Sequence, residues 1–457
     1  MAKNNKSPKK GAEYRHKRRV KSVIIAYTVV AILLAGIGTA GYFGVKTVAL
    51  KISDIKAQKA ADEEAALLAE EAAKEAEIAA VLAEQDEEAA EDEAVEEEPA
   101  EEEYTEQDLL EEVVQACIDD MSIEDKVAGL FIVTPEQLTG TDKVTKAGDG
   151  TKEALDKYPV GGIIYSGSNV KDSDQLKEML DNTISFSKYP LFLAINEELG
   201  AASTLTKPLK LEKTKSAKEL GDSGDASLTY ESYRALGETL NSYGFNLNFA
   251  PLADISAEGV DSPLSDRIFS GDITLASNLV ASSVEGLKEN GVSSAVMHFP
   301  GQGSVEGDTT KGMASTSRSI DDFKMNDIAV FQAAIESGCD MITVGHFTAS
   351  ELTGDETLPC SLSKEVMTDL LRGEYQYNGV IITDALNKKA ISEYYGAGEA
   401  AAKALKAGAD MILMPENFEE AYSEVLQAVA DGNISEQRIN DSLARVYRIK
   451  YRSTIEE

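Results

Sequence analysis

The chain has 457 residues, more than one compact core usually organises, so one large folded domain plus other material is expected. A formal net charge of −36 argues against nucleic acid as a partner. Three cysteines (Cys117, Cys339 and Cys360) offer no disulfide framework, and three histidines (His16, His298 and His346), none grouped at ligand spacing, offer no metal site.

Residues 1–22 form a basic tail, in which Met1 to Lys21 carries nine Lys or Arg against one acid, Glu13. Val23–Val45 then runs for 23 residues without a charge, enough to cross ~30 Å of hydrocarbon at ~1.5 Å per residue. Small residues at Gly38, Thr39, Ala40 and Gly41 offer a signal-peptide cleavage site, but signal peptides have apolar regions of only ~7–15 residues. The stretch is therefore read as an uncleaved, single-pass transmembrane helix. Its basic flank keeps the N-terminus cytoplasmic and places everything after Lys46 outside the cell membrane.

Residues 46–112 read as an acidic stalk, partly helical or disordered. Asp62 to Glu112 holds 24 acids and one base, Lys74, with too little apolar content to bury a core. Ala and Glu dominate from Ala60 to Ala94, which allows a solvated helix that Pro99 would end.

From residue 113 to 457 the pattern changes. Short β-branched runs occur at Gly129–Val133, Val160–Ser166, Pro190–Asn196, Phe245–Pro251, Ser293–Pro300, Cys339–His346, Gly379–Ala385 and Ala409–Pro415. Near-continuous apolar strands of this kind belong to a parallel sheet buried on both faces. Amphipathic stretches separate them, among them Asp174–Ser187, Leu228–Ser242, Leu275–Asn290, Phe323–Ser337 and Ser363–Gly373. The alternation predicts an α/β fold, a (β/α)8 TIM-type barrel; the competing doubly wound open sheet lacks a GxGxxG after its first strand. Barrel enzymes place their chemistry at the C-terminal ends of strands, where this chain has Asn196, Asp254, His298, His346 and Asp384.

Around the fifth run the chain reads Ala295-Val-Met-His298-Phe-Pro-Gly-Gln302-Gly, then Glu306-Gly-Asp308-Thr-Thr310; the seventh reads Gly379-Val-Ile-Ile-Thr-Asp384-Ala-Leu. With Asn248-Phe-Ala-Pro-Leu-Ala-Asp-Ile255, Asp266-Arg267-Ile-Phe and Ala407-Gly-Ala-Asp-Met-Ile-Leu-Met-Pro415, the barrel resembles glycoside hydrolase family 3, most of all its β-N-acetylhexosaminidase subgroup. The family's fifth-strand motif is usually Lys-His-Phe-Pro-Gly-His-Gly, followed by an Asp-x-His pair on a loop. Here Met297 replaces the Lys, Gln302 the second His, and Thr310 the loop His. The third-strand Asp-x-Glu-Gly-Gly-Arg reads Asn196-Glu-Glu198-Leu-Gly200-Ala201, and an arginine expected just beyond is Thr204.

The resemblance implies that Asp384 is the nucleophile of a retaining glycosidase and that Asp308 belongs to its acid/base machinery. Asn196, Arg267, His298 and His346 are implied as substrate-binding residues; Arg267 has the alternative of pinning its own loop through Asp266. Thr310 has no useful pKa near neutrality, so Asp308 or Glu306 would have to donate the proton directly, which needs burial to raise its pKa. The implied partner is a small carbohydrate containing N-acetylglucosamine, drawn from cell-wall glycan, with no cofactor. With no Trp in the chain, a small pocket fits better than a long aromatic-paved cleft. The alternative is a catalytically degenerate barrel that binds glycan or serves as a scaffold.

Overall fold

Eight short parallel strands, each lying inside one of the apolar runs above, build the core of the computed structural model, which describes residues 105–456 other than 257–259 and 261. The expected membrane helix at Val23–Val45, and the stalk as far as residue 104, lie outside the described residues. A helix, Glu106–Asp119, begins within the last part of the stalk span. Among the described residues, no helix is long and apolar enough to cross a membrane. Contacts divide the chain after Val113, and the barrel belongs to Val114–Glu456.

In chain order the strands are Phe131–Val133, Gly162–Tyr165, Phe192–Ile195, Leu247–Asn248, Ser293–Phe299, Met341–Val344, Val380–Thr383 and Ile412–Leu413. Each pairs in parallel with the next as far as the seventh. The eighth returns to the first through Phe131↔Ile412 and Ile132↔Leu413. A bridge between Ile382 and Met411 closes the remaining seam, which gives the (β/α)8 barrel and excludes the open sheet. All strand residues are buried, because helices cover the outside and side chains fill the inside. Phe192 and Ala194, two apart on one strand, share a cluster with Ile132, Leu247, Met341 and Ile382.

The helices begin where short polar side chains can take up free backbone N–H groups. Asp172, Asp225 and Asp272 accept from Gln175, Leu228 and Leu275 and start the helices Ser173–Phe186, Ala226–Tyr243 and Ile273–Glu289. The expected Phe323–Ser337 helix is instead two pieces, Ile320–Met325 and Asp327–Glu336. Asn326 leaves helical geometry between them and bonds back to Asp322, while the buried Asp327 pairs with Arg318 at 2.5 Å. The expected Ser363–Gly373 helix is wound with π geometry over Glu365–Glu374.

The seam between strands seven and eight depends on Asp410, which is 1% exposed. Its backbone N–H donates to Ile381 O at 2.7 Å, and its Oδ2 accepts from the Ile381 N–H at 3.0 Å. Around it stand Arg372 at 2.6 Å, Ser442 at 2.8 Å, Arg445 at 3.1 Å and Arg438 at 3.5 Å. Asp410→Ala would take the shared carboxylate from three half-buried arginines and leave the buried Ile381 N–H without it; the expected loss is on the order of 3 kcal/mol, read from denaturant midpoints. A loss below about 1 kcal/mol would show that the seam does not rely on this carboxylate.

Candidate active site

The C-terminal rim of the barrel opens into a cavity of about 440 Å³, whose lining includes Asn196, Arg267, His298, Asp308 and Asp384. Five of the six residues that the resemblance implied for catalysis and substrate binding therefore share one cavity, and the sixth, His346, is not among its lining residues.

Strand five delivers His298 through a break in its ladder. Met297 pairs with Thr343 and Phe299 with Val344, so His298 is the extra residue of a bulge. Its N–H goes instead to Asp254 Oδ2 at 3.1 Å, and the same oxygen holds the ring Nδ1 at 2.8 Å. Asp254 Oδ1 accepts from the Gln302 N–H at 2.6 Å, so one buried carboxylate fixes both the imidazole and the start of the following loop. That loop turns at Gly301 (φ 133°), where a Cβ would come within 2.4 Å of Asp327 Cβ. With Nδ1 engaged, His298 Nε2 stands 4.0 Å from Asp384 Oδ2.

Asp384 follows the buried Val380–Thr383 strand, and its own backbone N–H donates to Val344 O at 3.0 Å. Oδ1 accepts from the Ala385 N–H at 2.7 Å, and Lys388 Nζ sits on Oδ2 at 2.5 Å. Burial opposes the charge, but the Lys388 ammonium, with the His346 and His298 imidazoles after it, outweighs burial and holds the carboxyl below the usual range. Lys388 escaped the reading of the sequence. The available signal was a base four residues after an acid, a spacing that lets the two side chains meet on one turn.

Arg267 does not pin its loop through Asp266. Its Nε and Nη2 both bond Glu198, at 2.8 and 2.5 Å. Burial works against the guanidinium charge, and Glu198 more than offsets it. Glu197 is buried beside it and accepts from the Thr204 and Leu205 N–H groups, each at 2.8 Å. This contact holds the strap that places Thr204, found where the family has arginine, on the cavity wall.

Asp308, Thr309 and Thr310 bring the loop after strand five onto the cavity, with Thr309 O accepting from the Ala390 N–H at 3.1 Å. The expectation that Asp308 donates a proton is corrected here. Its Oδ1 accepts from Thr310 Oγ1 at 2.5 Å and from the Thr310 N–H at 3.0 Å, and Lys311 lies 3.0 Å from Oδ2. Burial works the other way but is outweighed; the Thr310 hydroxyl leads in lowering the pKa to about 2. An acid ionised at that pH has no proton to give near neutrality. Thr310 thus stands in place of an imidazole and holds its neighbour's carboxyl further below the ordinary carboxylate range. Glu306 is exposed and is not among the lining residues.

The assignment of His346 to substrate binding is corrected as well. The ring is fully buried, with Nδ1 against Ser361 Oγ at 2.7 Å and Nε2 donating to Ala385 O at 2.9 Å. Both nitrogens are occupied, so it is a strut behind the turn that carries Asp384. Burial pushes its pKa down to about 4. Because the folded value lies below the unfolded one, the associated stability is present above about pH 6.5 and is lost as pH falls through 4. In a histidine NMR titration, His346 should stay neutral until about pH 4. A midpoint near 6.5 would show a solvated ring.

The family profile described as the glycosyl hydrolase family 3 N-terminal domain matches residues 122–449. The β-hexosaminidase A of Pseudoalteromonas piscicida is 28% identical over 327 residues, covering 65% of this chain and 54% of that protein. A Mycobacterium tuberculosis β-hexosaminidase is 28% identical over 338 residues, with 72% and 83% covered. A family 3 β-N-acetylglucosaminidase structure from a Paenibacillus species superposes with a TM-score of 0.66 at 31% identity, over 74% of this chain and 64% of that one. The chain spans about half the length of the Pseudoalteromonas relative and most of the mycobacterial one. With the profile covering the whole barrel, from ahead of its first strand to its last helix, the chain belongs to glycosyl hydrolase family 3.

Proposed function

We propose that this protein is a membrane-anchored, retaining glycosidase that removes terminal β-N-acetylhexosamine from cell-wall-derived glycans, slowly on natural substrates. The observation that carries the activity is an ionised Asp384 in a cavity of about 440 Å³, with His298 facing its outer oxygen. The volume lies within the ~300–1,000 Å³ range usual for small-ligand sites. Asn196, Arg267 and His298 are the groups available to hold sugar hydroxyls and an N-acetyl carbonyl. Relatives named as β-hexosaminidases and a β-N-acetylglucosaminidase support the choice of sugar.

Slow turnover follows from the missing proton donor, since Asp308 is held ionised and Thr310 stands where the family has histidine. The same observation favours a second reading, a barrel that binds glycan without cleaving it. The test is to compare the purified protein with Asp384→Asn on an aryl N-acetylglucosaminide and on a natural N-acetylglucosaminyl disaccharide. The wild type should cleave the activated glycoside, whose leaving group needs no proton, and lag by ~10²–10⁴-fold on the disaccharide. Asp384→Asn should lose both activities. Binding of N-acetylglucosamine with no turnover of either substrate would favour the scaffold. Thr310→His should raise disaccharide turnover by ~10²-fold or more, and ordinary enzyme rates in the unmodified protein would refute the impairment.

The anchored, extracytoplasmic placement is supported by the uncharged Val23–Val45 stretch, its basic flank and the acidic segment after it. Protease added to intact, wall-stripped cells should release the barrel. A protected barrel overturns the orientation.

A further inference from the structure

Nothing in the motifs assigns a role to Lys388, yet its ammonium is the only Lys or Arg nitrogen within ion-pair distance of Asp384 among the described residues. The turn that carries it is firmly set. Leu386 and Asn387 donate to Leu413 O and Met414 O, each at 3.0 Å, and Lys388 donates to Ala385 O at 3.0 Å. The helix Lys389–Ser392 begins immediately after, with Ala390 tied to Thr309. The side chain therefore folds back over the nucleophile's turn and lies against the cavity, 22% exposed. Strand five brings no cation of its own to this cavity, because Met297 stands where the family has lysine.

We propose that Lys388 is a positioning residue for Asp384, whose ion pair aims the carboxylate, weakens it as an attacking group and improves it as a departing one. The inference rests on the reading of Asp384 as the glycosidase nucleophile. In the first step the carboxylate oxygen bonds to the anomeric carbon as the bond to the aryl oxygen breaks, and the aryl oxide leaves with the electron pair. In the second step a water oxygen bonds to that carbon, the carboxylate departs with its electron pair, and the water proton passes to solvent. Asp384 gives up its negative charge in the first step and regains it in the second. An ammonium at 2.5 Å stabilises the charged form at both ends of the cycle, so it slows formation of the glycosyl-enzyme and hastens its breakdown.

The other groups that face Asp384 do not supply this function. His346, on the segment after strand six, is buried with both nitrogens bonded; His298, on strand five, is 4.0 Å away and bonded to Asp254. Arg267, from the loop after strand four, feels the Asp384 charge but is paired with Glu198. Removing Lys388 thus removes the leading attraction that keeps the carboxylate ionised.

The experiment uses the full chain with 4-nitrophenyl β-N-acetylglucosaminide and the variants Lys388→Met, Lys388→Gln and Lys388→Arg. In the Met variant the acidic limb of kcat/KM, which reports ionisation of the free enzyme, should move up by about one pH unit or more. The pre-steady-state burst of nitrophenolate should grow, and kcat and KM should fall together, as the glycosyl-enzyme accumulates. The Arg variant should restore the wild-type limb and burst. The Gln variant, uncharged but able to hydrogen-bond, gives the same reading should the Met variant fail to fold. An unchanged limb and burst in an active, folded Met or Gln variant would overturn the role of Lys388 and leave the glycosidase reading standing. Absence of turnover in the wild type would overturn both.

Discussion

The rim that carries the site exists only because a ring of very short strands closes, and the weakest seam of that ring is held by a side chain. Strand eight has two residues and meets strand seven through one bridge, Ile382↔Met411. Asp410 supplies what the ladder lacks, its backbone N–H donating to the Ile381 carbonyl and its carboxylate accepting from the Ile381 N–H. Its charge is matched by arginines from two helices, Glu365–Glu374 and Glu436–Glu456. The arrangement ties closure of the sheet to docking of the last helix, and Val446 of that helix joins the central core. Were the seam open, Asp384 and the Leu413–Met414 segment would not share one wall of the cavity.

At the opposite end the same logic of pairing decides the chemistry. Each carboxylate that could act at the mouth already has a partner. Glu198 takes Arg267, Asp254 takes His298, Asp308 takes Thr310 and Lys311, and Asp384 takes Lys388. For Asp384, buried at the cavity wall, the Lys388 partner outweighs burial and keeps the carboxyl below its usual range. The result is a cavity in which Asp384 is held ionised and Asp308 is held below its ordinary range.

The sequence by itself determined the barrel, because a parallel sheet covered on both faces demands runs such as Phe192–Ile195 and Val380–Thr383 that are apolar throughout. It also determined the rim positions of Asn196, His298 and Asp384, since a polar residue ending a buried strand must lie near the strand's exposed end. Helices were legible where an amphipathic stretch followed a capping aspartate; they were misjudged at Asn326, where the buried Asp327–Arg318 pair overrides local periodicity. Only the tertiary structure decided which neighbour each charge has: Glu198 and not Asp266 for Arg267, Ser361 and Ala385 for His346, Lys388 for Asp384. Those neighbours set whether a group carries its proton, and most come from elements tens of residues away. Strand periodicity is written into a few consecutive residues, whereas the protonation of His346 depends on the solvent exclusion that folding alone brings about.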